Sequence, residues 1–325
     1  MWSRDVWDVT TRAAASPRLR WDALPARVRD AAHQALNAAV VAEDPRPGGF
    51  SPGVASGLTL ADGRRVFVKA ISAARNPHAP GLYRREAAVM ATLPARVPAP
   101  ELLWTWDDGK WVVLVLEWVD GRSPREPWDD GELGRVVRAL DDLAQALTPS
   151  PLAGPGVVED LADNFRSWRR MSADPALYRD LDHPWARANL DRLAELEAGW
   201  ERAATGDTLV HADLRADNML LAPDGRVVFV DWPHAVTGAP WLDLLFFLPS
   251  VAATATGPVD PAALWRVGEV GRAADPDAVD AVLAALAGDW LYQSTLPAPR
   301  NVPGLRAHQR AKGDATLTWL RSRIS

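Results

Sequence analysis

The stretch HADLRADN gathers His211, Asp213 and Asn218 into eight residues, and VDW sets a second aspartate, Asp231, thirteen positions past Asn218. Oxygen ligands of this kind suit a hard cation. Mg2+ takes a few protein oxygens and fills the rest of its shell with water and phosphate, so the Asn218 amide and the Asp231 carboxylate are a sufficient protein contribution. Asp213 then remains to accept a hydrogen bond from a substrate hydroxyl and hold it in line with a phosphoryl group. A third charge belongs with these. Of the 36 basic residues only Lys69, Lys110 and Lys312 are lysines, so arginine serves almost wherever a positive charge is wanted. Lys69 nevertheless stands inside the apolar run RVFVKAI, and RREAAVM supplies Glu86 seventeen residues later. A strand lysine paired with a helix glutamate can hold its ammonium toward nucleotide phosphates. By pattern alone Lys69 also reads as an exposed residue of an edge strand; the scarcity of lysine weighs on the functional side.

These groups act together only if local structure positions them. Asp-Gly turns supply the positive backbone angle a tight hairpin needs, and alternating apolar residues flank three of them: ADGR at 61–64, DDGK at 107–110 and PDGR at 223–226. The last hairpin puts Asn218 on a loop before one strand and Asp231 at the end of the next, so both can face one point. YRREAAVMATL (83–93) reads as a helix stopped by Pro94, and LPARVRDAAHQAL (24–36) as an amphipathic helix. Residues from about 45 to 117 therefore form a small antiparallel sheet carrying one helix. From Asp120 onward the pattern is mostly helical, with no clear strand pair other than the one around PDGR.

At 325 residues two lobes are the natural expectation. The absence of cysteine excludes disulfides and thiolate metal sites and fits a reducing interior. The first residues lack a secretory signal's apolar core, and no uncharged run approaches the roughly 18 residues of a membrane span, so a soluble, cytoplasmic protein with no membrane partner is expected. A net charge of −6 without a Lys or Arg run argues against nucleic-acid partners and is compatible with a cationic small substrate.

HADLRADN with VDW, the strand lysine, the helix glutamate and the connector LVLEWVDG together resemble the aminoglycoside phosphotransferase family, within the protein-kinase-like fold, over most of residues 45–325. The resemblance implies an α+β, two-lobed molecule: an N-terminal helical extension over 1–44 packing on the small lobe, a nucleotide-binding lobe over 45–117, and a mainly helical lobe over 118–325 with the catalytic loop and acceptor pocket. It implies ATP or GTP with Mg2+, Asp213 as catalytic aspartate, Asn218 and Asp231 on the metal, Lys69 on the nucleotide phosphates and Glu86 bracing it. His211 and Asp243 would be structural, Asp243 tying its helix to the catalytic loop. Backbone groups near Glu117 and Val119 would meet the adenine edge. Ser51, in GGFSPGVASG, is a phosphate-contact candidate, although this loop lacks the Gly-x-Gly-x-x-Gly spacing of protein kinases. Arg215 could neutralise developing phosphate charge or simply be a solvated arginine.

Trp232 and Pro233 replace the Phe-Gly of protein kinases, and only eleven residues separate Asp231 from the WLDLL helix start, which favours a small hydroxylated acceptor over a peptide. An aminoglycoside or other antibiotic, or a metabolic alcohol of choline, homoserine, sugar or nucleoside type, fits this reading. A kinase-shaped binding protein without turnover is the alternative from another class. Glu159, Asp160 and Asp163 could meet ammonium groups of an acceptor, or be the wet face of a helix. Trp168, Trp241, Trp290 and Tyr292 could line a more apolar pocket, or serve the core.

Overall fold

The computed structural model describes residues 18–46, 52–179, 181–257, 259–298 and 304–324. Two compact units emerge, the first from the described residues among 14–123 together with 217–234, the second from those among 124–216 and 235–325. Among the described residues no helix is long and apolar enough to cross a membrane.

The first unit is built on a five-stranded antiparallel sheet. Its elements are α1 (Ala26–Leu36), β1 (Val40–Pro45), β2 (Val54–Leu60), β3 (Arg65–Ser72), α2 (Ala79–Met90), β4 (Leu102–Asp107) and β5 (Trp111–Glu117), and the strand order is β1-β2-β3-β5-β4. Gly63 and Gly109 take φ of +87° and +80° at the two Asp-Gly turns, the conformation that joins β2 to β3 and β4 to β5 tightly. Strand side chains alternate between faces, and the burial follows. Val66, Val68, Val113 and Val115 pack with Val28, Ala32 and Leu36 of α1 on one face. Ile71, Val112 and Leu114 pack with Tyr83 of α2 on the other.

Val40–Pro45, expected to close the N-terminal helical extension, is instead an edge strand paired with β2. Its pairing is bulged and its residues are half-buried or exposed, so it carries no apolar alternation that would mark a strand. The same unit holds β7 (Met219–Leu221) and β8 (Val227–Phe229), named in order after β6 (Thr208–Val210) of the other unit. Backbone bonds tie this hairpin down: the Phe229 amide donates to the Pro98 carbonyl at 2.8 Å, and Leu221 and Arg122 exchange amide bonds at 2.7 and 3.2 Å.

The second unit is helical, with α3 (Asp130–Ala146), α4 (Val157–Leu161), α5 (Ser167–Ala173), α6 (Pro184–Ala188), α7 (Leu190–Glu197), α8 (Trp200–Ala204), α9 (Leu242–Thr254), α10 (Pro261–Val267), α11 (Glu269–Ala273), α12 (Pro276–Ser294) and α13 (Leu305–Ile324). The runs DLADNFRSWRRM and PWARANLDRLAELEAGWERA each break into shorter helices. A second strand pair, β6 with β9 (Val236–Gly238), also appears here, and the long separation between its partners left no hairpin signal. Close helix contacts depend on missing side chains. A Cβ at Gly288 would stand 2.7 Å from the Trp168 ring, and Trp168 donates its indole N–H to the Ala284 carbonyl at 2.8 Å.

Candidate active site

Lys69 shares its sheet face with Ile71, two residues on, and so points to the face that α2 covers. Glu86 follows Tyr83 by three residues and lies on the same side of α2. The Lys69 ammonium donates to both Glu86 carboxylate oxygens at 2.6 and 2.9 Å and to Asp231 Oδ1 at 2.7 Å. Exposure separates the two acids. The Glu86 side chain is 1 % exposed and that of Asp231 is 43 % exposed, so Glu86 holds the ammonium from the buried side and Asp231 from the side nearer solvent. Burial opposes the charge on Lys69, but Asp231 and Glu86 outweigh it and hold the ammonium above its ordinary pKa. For Glu86 burial dominates and raises the carboxyl, against the pull of Lys69 and of a hydrogen bond from the Trp232 amide.

The β7–β8 hairpin brings the chain at the two predicted metal ligands back to one end. Met219 pairs with Phe229, and just outside that pair the Val230 amide donates to the Asn218 carbonyl at 3.0 Å. Asn218 and Asp231 thus flank the open end of one hairpin. Asp231, two residues past the end of β8, sits at φ +70°, a left-handed conformation that costs a non-glycine residue ~1 kcal/mol. An amide oxygen and a carboxylate are hard donors, the pair Mg2+ accepts when phosphate and water complete its shell. The residues present fit that ion.

At the end of β5 the Glu117 amide donates to the Glu101 carbonyl at 2.8 Å, and the Glu117 carboxylate accepts from the Glu101 amide at 3.2 Å. Val119, two residues on, is half-buried in the connector, and among the described residues its amide makes no hydrogen bond. Between them stands Trp118, which the sequence reading passed over. Its ring carries the Arg65 guanidinium 3.6 Å and the Arg46 guanidinium 4.9 Å from the centroid, its indole N–H donates to Asp120 at 2.7 Å, and Gly57 of β2 makes room for it. Ser51 lies outside the described residues.

Asp213 is built differently. The loop after β6 runs through Ala212 at φ +63°, and Asp243, in the first turn of α9, holds it there. One Asp243 oxygen accepts the His211 amide and the other the Ala212 amide, both at 2.8 Å. Two charge-assisted bonds outweigh the ~1 kcal/mol left-handed penalty. Burial raises the Asp243 carboxyl against the lowering effect of His211 and these two amides. His211 is fully buried, and its Nδ1 accepts the Asp213 amide at 3.3 Å, so it acts on the loop backbone. Arg215 Nε lies 3.7 Å from Asp213 Oδ1.

Asp213 and Arg215 line a small pocket with Phe165, Phe246 and Trp290 in its wall. Of the other tryptophans weighed for this role, Trp168 is core and Trp241 stacks edge-on against Trp265. The acidic run does not line it either: Glu159 accepts the Gly156 amide at 2.6 Å, and Asp163 pairs with Arg166. Two charged lining residues were assigned no role from the sequence, Asp289 and Lys312. For Lys312 a signal existed, because it is one of three lysines in an arginine-rich chain.

The sequence profile of the phosphotransferase enzyme family (APH) matches residues 44–291. No curated protein matches the chain. Among solved structures it is similar to a thermostable mutant of aminoglycoside phosphotransferase APH(4)-Ia in ternary complex with ADP and hygromycin B, at 16% identity and a TM-score of 0.57 over 91% of this chain and 98% of that one. It is similar to the choline kinase LicA from Streptococcus pneumoniae at 11% identity and a TM-score of 0.56, over 91% and 98% of the two chains. Spectinomycin phosphotransferase APH(9)-Ia, in complex with ADP and spectinomycin, matches at 11% identity and a TM-score of 0.53, over 90% and 97%. At these identities the structures establish a shared protein-kinase-like fold.

Proposed function

The chain belongs to the phosphotransferase enzyme family, and from that premise we propose that it moves the γ-phosphoryl group of ATP, with Mg2+, to a hydroxyl of a small molecule. The observation that carries this reading is the Lys69 ammonium held by Glu86 and Asp231, the last of them 162 residues away in sequence. In the proposal Lys69 meets the nucleotide phosphates, Glu86 fixes it, and the backbone around Glu117 and Val119 receives the adenine edge. Ser51 is kept as a phosphate contact on its sequence position alone. Asn218 and Asp231 would hold Mg2+, whose charge would offset that of the phosphate oxygens when bound.

Asp213 accepts the hydrogen bond of the acceptor hydroxyl and orients its oxygen toward the γ-phosphorus. A new P–O bond forms to that oxygen as the bond to the bridging oxygen of ADP breaks, and the hydroxyl proton passes to Asp213 and then to water. The products are a phosphate monoester, ADP and one proton. Arg215, beside Asp213, would steady charge on the phosphoryl oxygens. The solved relatives with ADP and hygromycin B or spectinomycin support a nucleotide with a small hydroxylated acceptor.

Thermal melting with ATP, with and without Mg2+, followed by ADP release across a panel of alcohols, tests the reading. The expected result is an Mg2+-dependent upward shift and acceptor-dependent ADP release. A shift without release from any alcohol would favour a binding protein without turnover.

A further inference from the structure

We propose that the groove between α7–α8 and α11–α12 of the second unit binds a small organic cation with an apolar body and an oxygen acceptor. It goes beyond the phosphotransferase reading and does not depend on it. The groove holds about 670 Å³, within the roughly 300–1,000 Å³ of small-molecule sites, and shares no lining residue with the pocket of Asp213. Its room comes from short side chains. Gly199 and Ala203 lie four residues apart on one wall, and Ala274, Ala278 and Ala281 follow at spacings of four and three on the other, so each set shares a face. A Cβ at Gly199 would stand 3.4 Å from that of Ala281, and the Ala239 amide donates to the Ala204 carbonyl at 2.8 Å. These close contacts hold the elements together while the small side chains leave the space between them open.

The charges of the lining are unequal: Glu195, Asp275 and Asp277 stand against Arg202 alone. Asp275 spends one carboxylate oxygen on the Asp277 amide, as the cap of α12. The dipole of α12 suits acids at its start, which accounts for Asp275 and Asp277. Glu195 stands on α7 and has no such reason to be there. Among the described residues neither Glu195 nor Asp277 has an ion pair, so their charge is left to solvent or to a cation in the groove.

Trp241 supplies a second, independent observation. It lines the groove, is 6 % exposed, and packs edge-on with Trp265 at 6.1 Å between ring centroids. Among the described residues its indole N–H has no acceptor, and unlike those of Trp200 and Trp319 it is not sealed in the interior. With so little of the residue reaching solvent, the groove is where that N–H meets an acceptor, and a ligand oxygen would satisfy it. Trp241 directly precedes α9, two residues ahead of Asp243, so the groove adjoins the turn that grips the Asp213 loop. Leu196 and Val270, both half-buried, add apolar surface for the body of the ligand.

The test uses three matched compounds: 2-phenoxyethylamine, its carbon isostere 3-phenylpropylamine, and phenoxyacetate. None has an alcoholic hydroxyl to phosphorylate. In proton–nitrogen NMR spectra of the full chain, the indole cross-peak that Trp241→Phe removes should move as 2-phenoxyethylamine is added to wild type. The isostere should bind about 3-fold more weakly, for want of the ether oxygen, and phenoxyacetate about 10-fold or more. Glu195→Gln combined with Asp277→Asn changes two exposed side chains and should weaken the amine roughly 10-fold. Asp213→Asn should leave its affinity as it is. The proposal is overturned if the Trp241 cross-peak stays fixed in wild type, if phenoxyacetate binds as tightly as the amine, if the paired substitution changes nothing, or if Asp213→Asn abolishes binding. The wild-type titrations need no variant other than the one that assigns the cross-peak. ADP release from alcohols is a separate measurement, so the phosphotransferase reading stands or falls without these outcomes.

Discussion

Lys69 and Asp213 are held in place by opposite means. Lys69 is fixed by side-chain charge, an ammonium between two carboxylates. Asp213 is fixed through its backbone, by a loop that Asp243 grips at two amides and that bends through a left-handed alanine. A group meant to meet a polyphosphate gains from a permanent charge, and the carboxylates guarantee it. A group proposed to accept a proton gains from a fixed position, and the backbone clamp sets that position while Arg215 stands 3.7 Å from the carboxylate.

Substitutions can break each side of this contrast separately. The largest effect is expected from Asp213→Asn, which leaves the loop bonds and removes the proton acceptor. Turnover should fall about 1,000-fold with nucleotide affinity nearly intact; turnover at the wild-type rate would remove Asp213 from the role. Next comes Lys69→Met, which strands Glu86, buried, beside Asp231. A stability loss of about 3 kcal/mol and a loss of nucleotide affinity are expected, read by denaturant titration and calorimetry. Asp243→Asn should cost about 2 kcal/mol, since a side-chain NH2, itself a donor, replaces one of the two oxygens that each accept a backbone amide. Its kcat should fall while the nucleotide Kd holds, which separates the backbone clamp from the charge cluster.

Smaller effects sharpen the picture. Gly57→Ala sets a Cβ 2.4 Å from the Trp118 ring and should cost about 1 kcal/mol with a shift in tryptophan emission. His308 offers a pH test in the unit that holds Asp213. Its unfolded imidazole takes a proton near 6.5 and its folded one only near 3, so the stability it confers is whole above pH 6.5 and drains as pH falls toward 3. His308→Asn should flatten that slope in denaturant midpoints measured across the interval; an unchanged slope would assign it to other groups.

The charge cluster was legible in the sequence because it uses rare residues on strongly patterned elements. A lysine in an arginine-rich chain, an alternating strand and Asp-Gly turns each leave a local mark. The backbone clamp was less so. Asp243 could be named from its place in WLDLL, but the left-handed Ala212 has no residue signature. Edge strand β1 and the β6–β9 pair escaped for a related reason, being short and specified by distant partners. Asp289 and Lys312, on the same pocket as Asp213, escaped because α12 and α13, which carry them, meet only in the fold.

One consequence follows from the ammonium shared by Glu86 and Asp231. A divalent ion approaching alone would meet a carboxylate already neutralised by an ammonium, and would gain little. In the proposed reaction a polyphosphate arriving with it would give the ammonium a second anion to serve and would free Asp231 to hold the ion. Nucleotide and ion should therefore each tighten the hold on the other, by the same factor in either order of addition.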